Sequence, residues 1–109
     1  MSYKVKSIAV FEKQAKRLIK KYVSLKKELF ELVNELKENP ERGTPVGKNC
    51  FKIRIAIASK GKGKSGGARI ITNFVVTDST VYLLSIYDKS EQKSLSDKDL
   101  DELLKYVPA

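Results

Sequence analysis

The chain reads as a small α+β domain. Its expected parts are an antiparallel sheet of about four strands, two N-terminal helices packed on one face, and a short C-terminal helix. Three features predict this. Apolar residues between 9 and 36 recur at helical spacing. Those between 51 and 57 recur at every second position. Two runs rich in Ile, Val and Phe flank the tight turn Thr77–Asp78–Ser79–Thr80. With 109 residues there is room for one core and too little chain for two, so residues 1–109 are read as a single domain.

The elements follow in order. Tyr3 and Val5 alternate with Lys4 and Lys6, which predicts a short first strand over Tyr3–Ser7. From Ala9 the period changes. Phe11, Ala15, Leu18, Ile19 and Tyr22 form one helical stripe, and Lys13, Lys16, Arg17, Lys20 and Lys21 take the remaining surface. The cations of its last turn suit the negative end of the helix dipole. Ser24 is a candidate N-cap for a second helix, striped by Leu25, Leu29, Leu32, Val33 and Leu36. That helix should stop near Asn39, because Pro40 disfavours helical geometry in the residue before it. Glu41–Asn49 holds Gly43, Pro45 and Gly47 and reads as a loop.

Phe51, Ile53, Ile55 and Ile57 put one apolar face on a strand over Phe51–Ala58, with Lys52 and Arg54 on the other face. A third strand is expected over Ala68–Thr77 and a fourth over Val81–Tyr87, paired as a hairpin. Asp88–Leu95 is polar and irregular. The last helix begins at Ser96, where Asp99 completes a capping box and Leu95 can staple to Leu100. The carboxylates Asp97, Asp99, Asp101 and Glu102 read as cap and dipole partners, not as metal ligands.

Charge narrows the function. The 22 basic and 13 acidic residues give a net charge of +9. Residues 1–69 carry 18 basic and 6 acidic residues, whereas 70–109 carry 4 and 7. Seven basic residues and no acidic one lie between Lys48 and Arg69. A field concentrated in this way on one edge of a small domain points to a polyanionic partner. Cys50 is the only cysteine and histidine is absent, so neither an intrachain disulfide nor a Cys/His metal cluster is expected. No signal-like or membrane-length apolar run occurs, and a reducing, cytoplasmic setting is expected.

The stretch from Lys60 to Arg69, KGKGKSGGAR, carries the candidate chemistry. It is not a nucleotide-binding phosphate loop. The earlier glycine of that motif would fall at Ala58, and a strand follows where a helix should open. It is instead a cluster of like charges. Each lysine makes its neighbours easier to deprotonate, so one amine becomes a candidate general base. Arg69 opens the third strand and is expected on its exposed face, where a guanidinium can hold a phosphate bidentately and stabilise developing charge. Tyr87 ends the fourth strand, where a phenol can stack on a base or hydrogen-bond to a phosphate. Without histidine the usual ribonuclease acid–base pair is missing, and no Ser/His/Asp or Cys/His constellation exists.

At these residues the chain resembles the RelE/ParE superfamily of bacterial toxins, and most closely its HigB-like branch. The resemblance spans nearly the whole chain. It rests on the Phe11-led helical pair, the strand KIRIAI, the spacing of Lys60, Lys62, Lys64, Ser65, Gly67 and Arg69, and the ending YLLSIYDKSE before a short helix. It implies a RelE-like fold and a ribosome-dependent mRNA endoribonuclease, working without metal or cofactor and neutralised by a cognate antitoxin. It also implies that Lys60 and Lys62 activate the ribose 2′-hydroxyl and bind phosphate, and that Arg69 stabilises the scissile phosphate. Arg54, Lys64, Ser65 and Lys89 would then contact RNA or ribosome. Lys89 is commonly arginine in the best-known members, and Leu95 stands where those members have a tyrosine. The resemblance therefore assigns the missing ring to Tyr87. Two other classes are a ParE-like inhibitor of DNA gyrase and a non-enzymatic RNA- or ribosome-binding module. Transcript cleavage in cells separates the first class from both.

Overall fold

A computed structural model describes residues 2–61, 63, 66–92 and 94–108. The chain runs β1 (Lys4–Ser7), α1 (Ala9–Lys21), α2 (Leu25–Glu38), β2 (Thr44–Gly47), β3 (Cys50–Ile55), β4 (Ala68–Val75), β5 (Thr80–Asp88) and α3 (Asp97–Leu104). Among the described residues the sheet has five strands in the order β1-β5-β4-β3-β2.

Two features correct the expected meander. Thr44–Gly47, read as loop, is a short edge strand antiparallel to β3. Pro45 is tolerated there because an edge strand leaves one row of its N–H groups without a ladder partner. The hairpin closes through Lys48 and Asn49, both at positive φ (57° and 59°), the geometry of a two-residue turn matched to strand twist. Buried Asn73 donates to the carbonyls of Lys48 and Asn49 and holds that turn. The second correction is β1, which pairs with β5 in parallel, so the sheet is mixed.

β5 is an inner strand, between β1 and β4, and all nine of its residues are buried. Opposite Ile71 and Thr72 stand Ser85 and Leu83, so Leu84 is an extra residue and the strand carries a bulge. One face of the sheet carries Phe51, Ile53, Ile55, Ala68, Ile70 and Ile86, as alternation along the paired strands requires. Those side chains join Phe11, Leu18, Leu25, Leu32 and Leu36 of the first two helices in one buried core. β3 stops at Ile55, three residues short of the expected end; a 3-10 turn over Ala58–Lys60 follows, with Ile57 fully buried.

The two helix starts differ. At Ser96 the capping box is complete, with Ser96 Oγ accepting from the Asp99 N–H and the Asp99 carboxylate accepting from the Ser96 N–H. At Ser24 the hydroxyl caps nothing. It hydrogen-bonds to Glu28 and to Ser59 instead, and Glu28 accepts the Ala58 N–H at 2.7 Å. The start of α2 thus grips the 3-10 turn that leads into the lysine–glycine loop. No described helix is long and apolar enough to cross a membrane.

Candidate functional site

Arg54, Arg69 and Tyr87 are directly opposite one another across β3, β4 and β5. Each is one residue out of step with the core positions Ile53, Ile70 and Ile86, so the three side chains share the face turned away from α1 and α2. Lys52 and Ile71 continue that face, and there Leu95 and Leu100 close a small cavity with them. The row of two guanidiniums and one phenol therefore sits at the end of the sheet beyond the α3 contact. Leu95 and Leu100, the pair expected to form the staple, line the same cavity.

The row is graded in exposure. Arg54 is exposed, while Arg69 and Tyr87 are 2% and 4% accessible. This corrects the expectation that Arg69 lies on an open face. Its guanidinium donates to the Ala68 carbonyl at 3.2 Å. Burial pulls the pKa of Arg69 down, the like charge of Arg54 adds to this, and Tyr87 opposes it. Burial pushes the Tyr87 phenol up, with Arg69 opposing. Tyr87 thus keeps its proton near neutral pH and can act as a donor. Among the described residues its hydroxyl has no hydrogen-bond partner although it is buried. A buried, unsatisfied hydroxyl costs about 1–3 kcal/mol, which a polar ligand atom can recover. Chemically, the row can bind a phosphate through arginine and donate a proton from a neutral phenol.

Lys60 does not join this row. Its amine donates to the Asp88 carboxylate and to Ser90 Oγ, and its side chain is 9% exposed. Asp88 follows Tyr87 in β5 and so faces the opposite side, toward the helices. Lys60 is committed to a carboxylate there, so the structure sets it apart from the arginines it was expected to assist. Tyr22 Oη donates to Asp88 at 2.6 Å, and Ser90 donates through both N–H (2.9 Å) and Oγ (2.7 Å). Lys60 Nζ also lies 5.6 Å from the centre of the Tyr22 ring, within cation–π range. Lys62, Lys64 and Ser65 lie outside the described residues. Lys89 is exposed directly after β5, and its N–H donates to the Gly67 carbonyl.

Asp88 and Tyr22 escaped the sequence reading. The available signal was an aspartate ending an apolar strand, in YLLSIYD, where a fully buried carboxylate must find donors. Burial pushes its pKa up. The hydrogen bonds from Lys60, Tyr22 and Ser90 outweigh that and hold it well below the usual carboxylate range. A depressed folded-state pKa gives stability that is present above the unfolded value and lost as pH falls through the folded value. Asp88→Asn should therefore cost about 3 kcal/mol at neutral pH, the scale for stranding one member of a buried pair. The gap to the wild type should begin to narrow below about pH 4, where the carboxyl of unfolded wild-type molecules takes up a proton, and go on narrowing toward the lower folded-state value. Urea midpoints of both proteins from pH 7 to pH 2.5 measure this; a gap independent of pH would mean the charge contributes nothing.

Residues 4–108 match the protein family described as RelE toxin of RelE / RelB toxin-antitoxin system. Among solved structures, the isolated Escherichia coli RelE toxin aligns with TM-score 0.62 at 18% identity, over 98% of this chain and all of that one. The toxin–antitoxin complex RelBE2 of Mycobacterium tuberculosis gives 0.61 at 17% identity, over 81% of this chain and 92% of that one. The intact E. coli RelBE complex gives 0.61 at 16%, over 80% and 96%. At such identities the structural likeness is one of fold.

Proposed function

Since the chain belongs to the RelE toxin family, we propose that it is a toxin that cleaves mRNA on the ribosome and is held in check by a cognate antitoxin. The observation carrying the cleavage reading is the Arg54–Arg69–Tyr87 row, with a buried phenol unsatisfied beside a buried guanidinium. The ribose 2′-hydroxyl attacks the adjacent phosphorus, and the P–O5′ bond breaks. The products are a 2′,3′-cyclic phosphate and a 5′-hydroxyl. Arg69 holds the non-bridging oxygens as negative charge builds, Arg54 receives the strand at the surface, and Tyr87 gives its proton to the leaving oxygen. Of the two lysines expected to activate the 2′-hydroxyl, Lys60 is tied to Asp88 and Lys62 is left to take the 2′-proton, while Lys64, Ser65 and Lys89 are RNA contacts. The antitoxin assignment is supported by the family and by the neighbours solved as toxin–antitoxin complexes.

Ribosome dependence has a chemical motive. In a chain without histidine, acid–base catalysis falls to a lysine and a phenol, both poorly matched to neutral pH. Alignment of the 2′-hydroxyl with the scissile phosphate must supply more of the acceleration, and correct geometry is worth several kcal/mol. A free single strand is not aligned, whereas an mRNA bent through a decoding site is. One mRNA, free and on programmed ribosomes, should be cleaved at least about 10²-fold faster in the second case. Equal rates would refute ribosome dependence and indicate a free ribonuclease.

A further inference from the structure

Both ends of the lysine–glycine loop converge on one residue, the first on its side chain and the second on the backbone around it. At its start, the Lys60 amine is bound to the Asp88 carboxylate. At its end, Ala68 is opposite Asp88 in the β4–β5 ladder, and the Gly67 carbonyl accepts the N–H of Lys89, the residue after Asp88. The same carboxylate holds α1 through Tyr22. Glu91, three residues on, bonds Arg17 and Lys21 in the second half of that helix. Asp88 is fully buried and accepts from three residues, while its chain neighbour Tyr87 projects into the arginine row. An ion pair at the edge of a core adds little net stability over apolar packing. It does fix where a loop stands relative to a strand, because its donors must converge.

We propose that Asp88 is a positioning residue of the RNA-cleaving site, which, through Lys60 and Tyr22, sets the basic loop in register with Arg69 and Tyr87. The proposal rests on the cleavage reading above. It assigns Lys60 to holding the loop, leaving the reacting amine to come from further along it. A misplacement of about 1 Å in such a loop lowers the chemical step about 10²-fold while the surface that binds RNA stays intact.

The test uses the full chain in three variants, Asp88→Asn, Lys60→Met and Tyr22→Phe, with the core variant Leu36→Val as a control for lost stability. Single-turnover cleavage on programmed ribosomes is measured against protein concentration, well below each unfolding midpoint. The expected result is a maximal rate lowered about tenfold for Tyr22→Phe and about 10²-fold for the other two, with half-saturation unchanged and the control at wild-type rate. Amide exchange is measured in parallel. The Lys60 and Gly61 N–H groups, bonded to the carbonyls of Ile57 and Ala58, should exchange more than tenfold faster in the variants than in the control. Should Asp88→Asn fail to fold, Tyr22→Phe and Lys60→Met decide. A maximal rate equal to the control's overturns the proposal, and so does a loss confined to half-saturation. If the wild type itself cleaves nothing, the cleavage reading fails. The exchange measurement still judges the anchoring, and unchanged exchange at Lys60 and Gly61 overturns it.

Discussion

Arg69→Ala should lower cleavage on the ribosome about 10²–10³-fold and abolish growth arrest at ordinary expression levels, the scale for removing one oriented transition-state donor. The guanidinium sits in register between Arg54 and Tyr87, so its loss leaves the row without its central charge. Arg69→Ala also removes the hydrogen bond to the Ala68 carbonyl and leaves a space in a buried site, so the fold of the variant is measured alongside its activity. Its urea midpoint separates lost chemistry from lost fold. Arg69→Lys keeps the charge but lacks the planar fork that meets two phosphate oxygens at once, and should recover only a small part of the rate. Full activity from a folded Arg69→Ala protein, read as transcript 5′ ends in induced cells, would remove Arg69 from the mechanism.

Gly67→Ala should be the most destabilising single methyl in the loop. A Cβ at Gly67 would lie 2.0 Å from the backbone carbonyl oxygen of Ile55 and 3.0 Å from its carbon. The obstacle is main chain in β3, so no rotamer change relieves it. Either β3 and β4 separate where Ile55 faces Ala68, or the Gly67 carbonyl leaves the Lys89 N–H. The cost is about 3 kcal/mol, at the upper end for overpacking. In a domain of this size that lowers Tm by roughly 10 °C or more. Gly63→Ala is the contrast. Gly63 has φ 62° with open space at its Cβ, so the substitution meets only backbone strain, about 1 kcal/mol. Thermal denaturation of both proteins decides this; equal midpoints would mean that the chain at Gly67 has room to move.

Some of the site could be read residue by residue because its signals are local. The period-2 run Phe51–Ile57 put Arg54 on the non-core face, and Arg54 is exposed there. Ser96 and Asp99 are three positions apart, so their capping box is a statement about one helical turn, and it forms. Ser24 looked equally good in isolation. Its hydroxyl was diverted by Ser59, 35 residues away, and the local rule lost to a partner it cannot include. β2 was hidden for a related reason. Gly43, Pro45 and Gly47 argue for a loop, and the strand exists only because β3 offers an edge to pair with.

The sequence by itself determined the composition of the site: a basic loop, an arginine opening one strand, a tyrosine ending the next, and a face pattern that keeps cations off the core. Those depend on side-chain type and on periods of two or 3.6 residues, which need no partner to be counted. Only the tertiary structure decided register and depth. Ladder pairing made Arg54, Arg69 and Tyr87 a single row, and β1 entering parallel to β5 along Thr80–Leu83 made β5 an inner strand. Burial at Asp88 then claimed Lys60, because a carboxylate without water takes the nearest cation whatever the spacing of lysines along the chain.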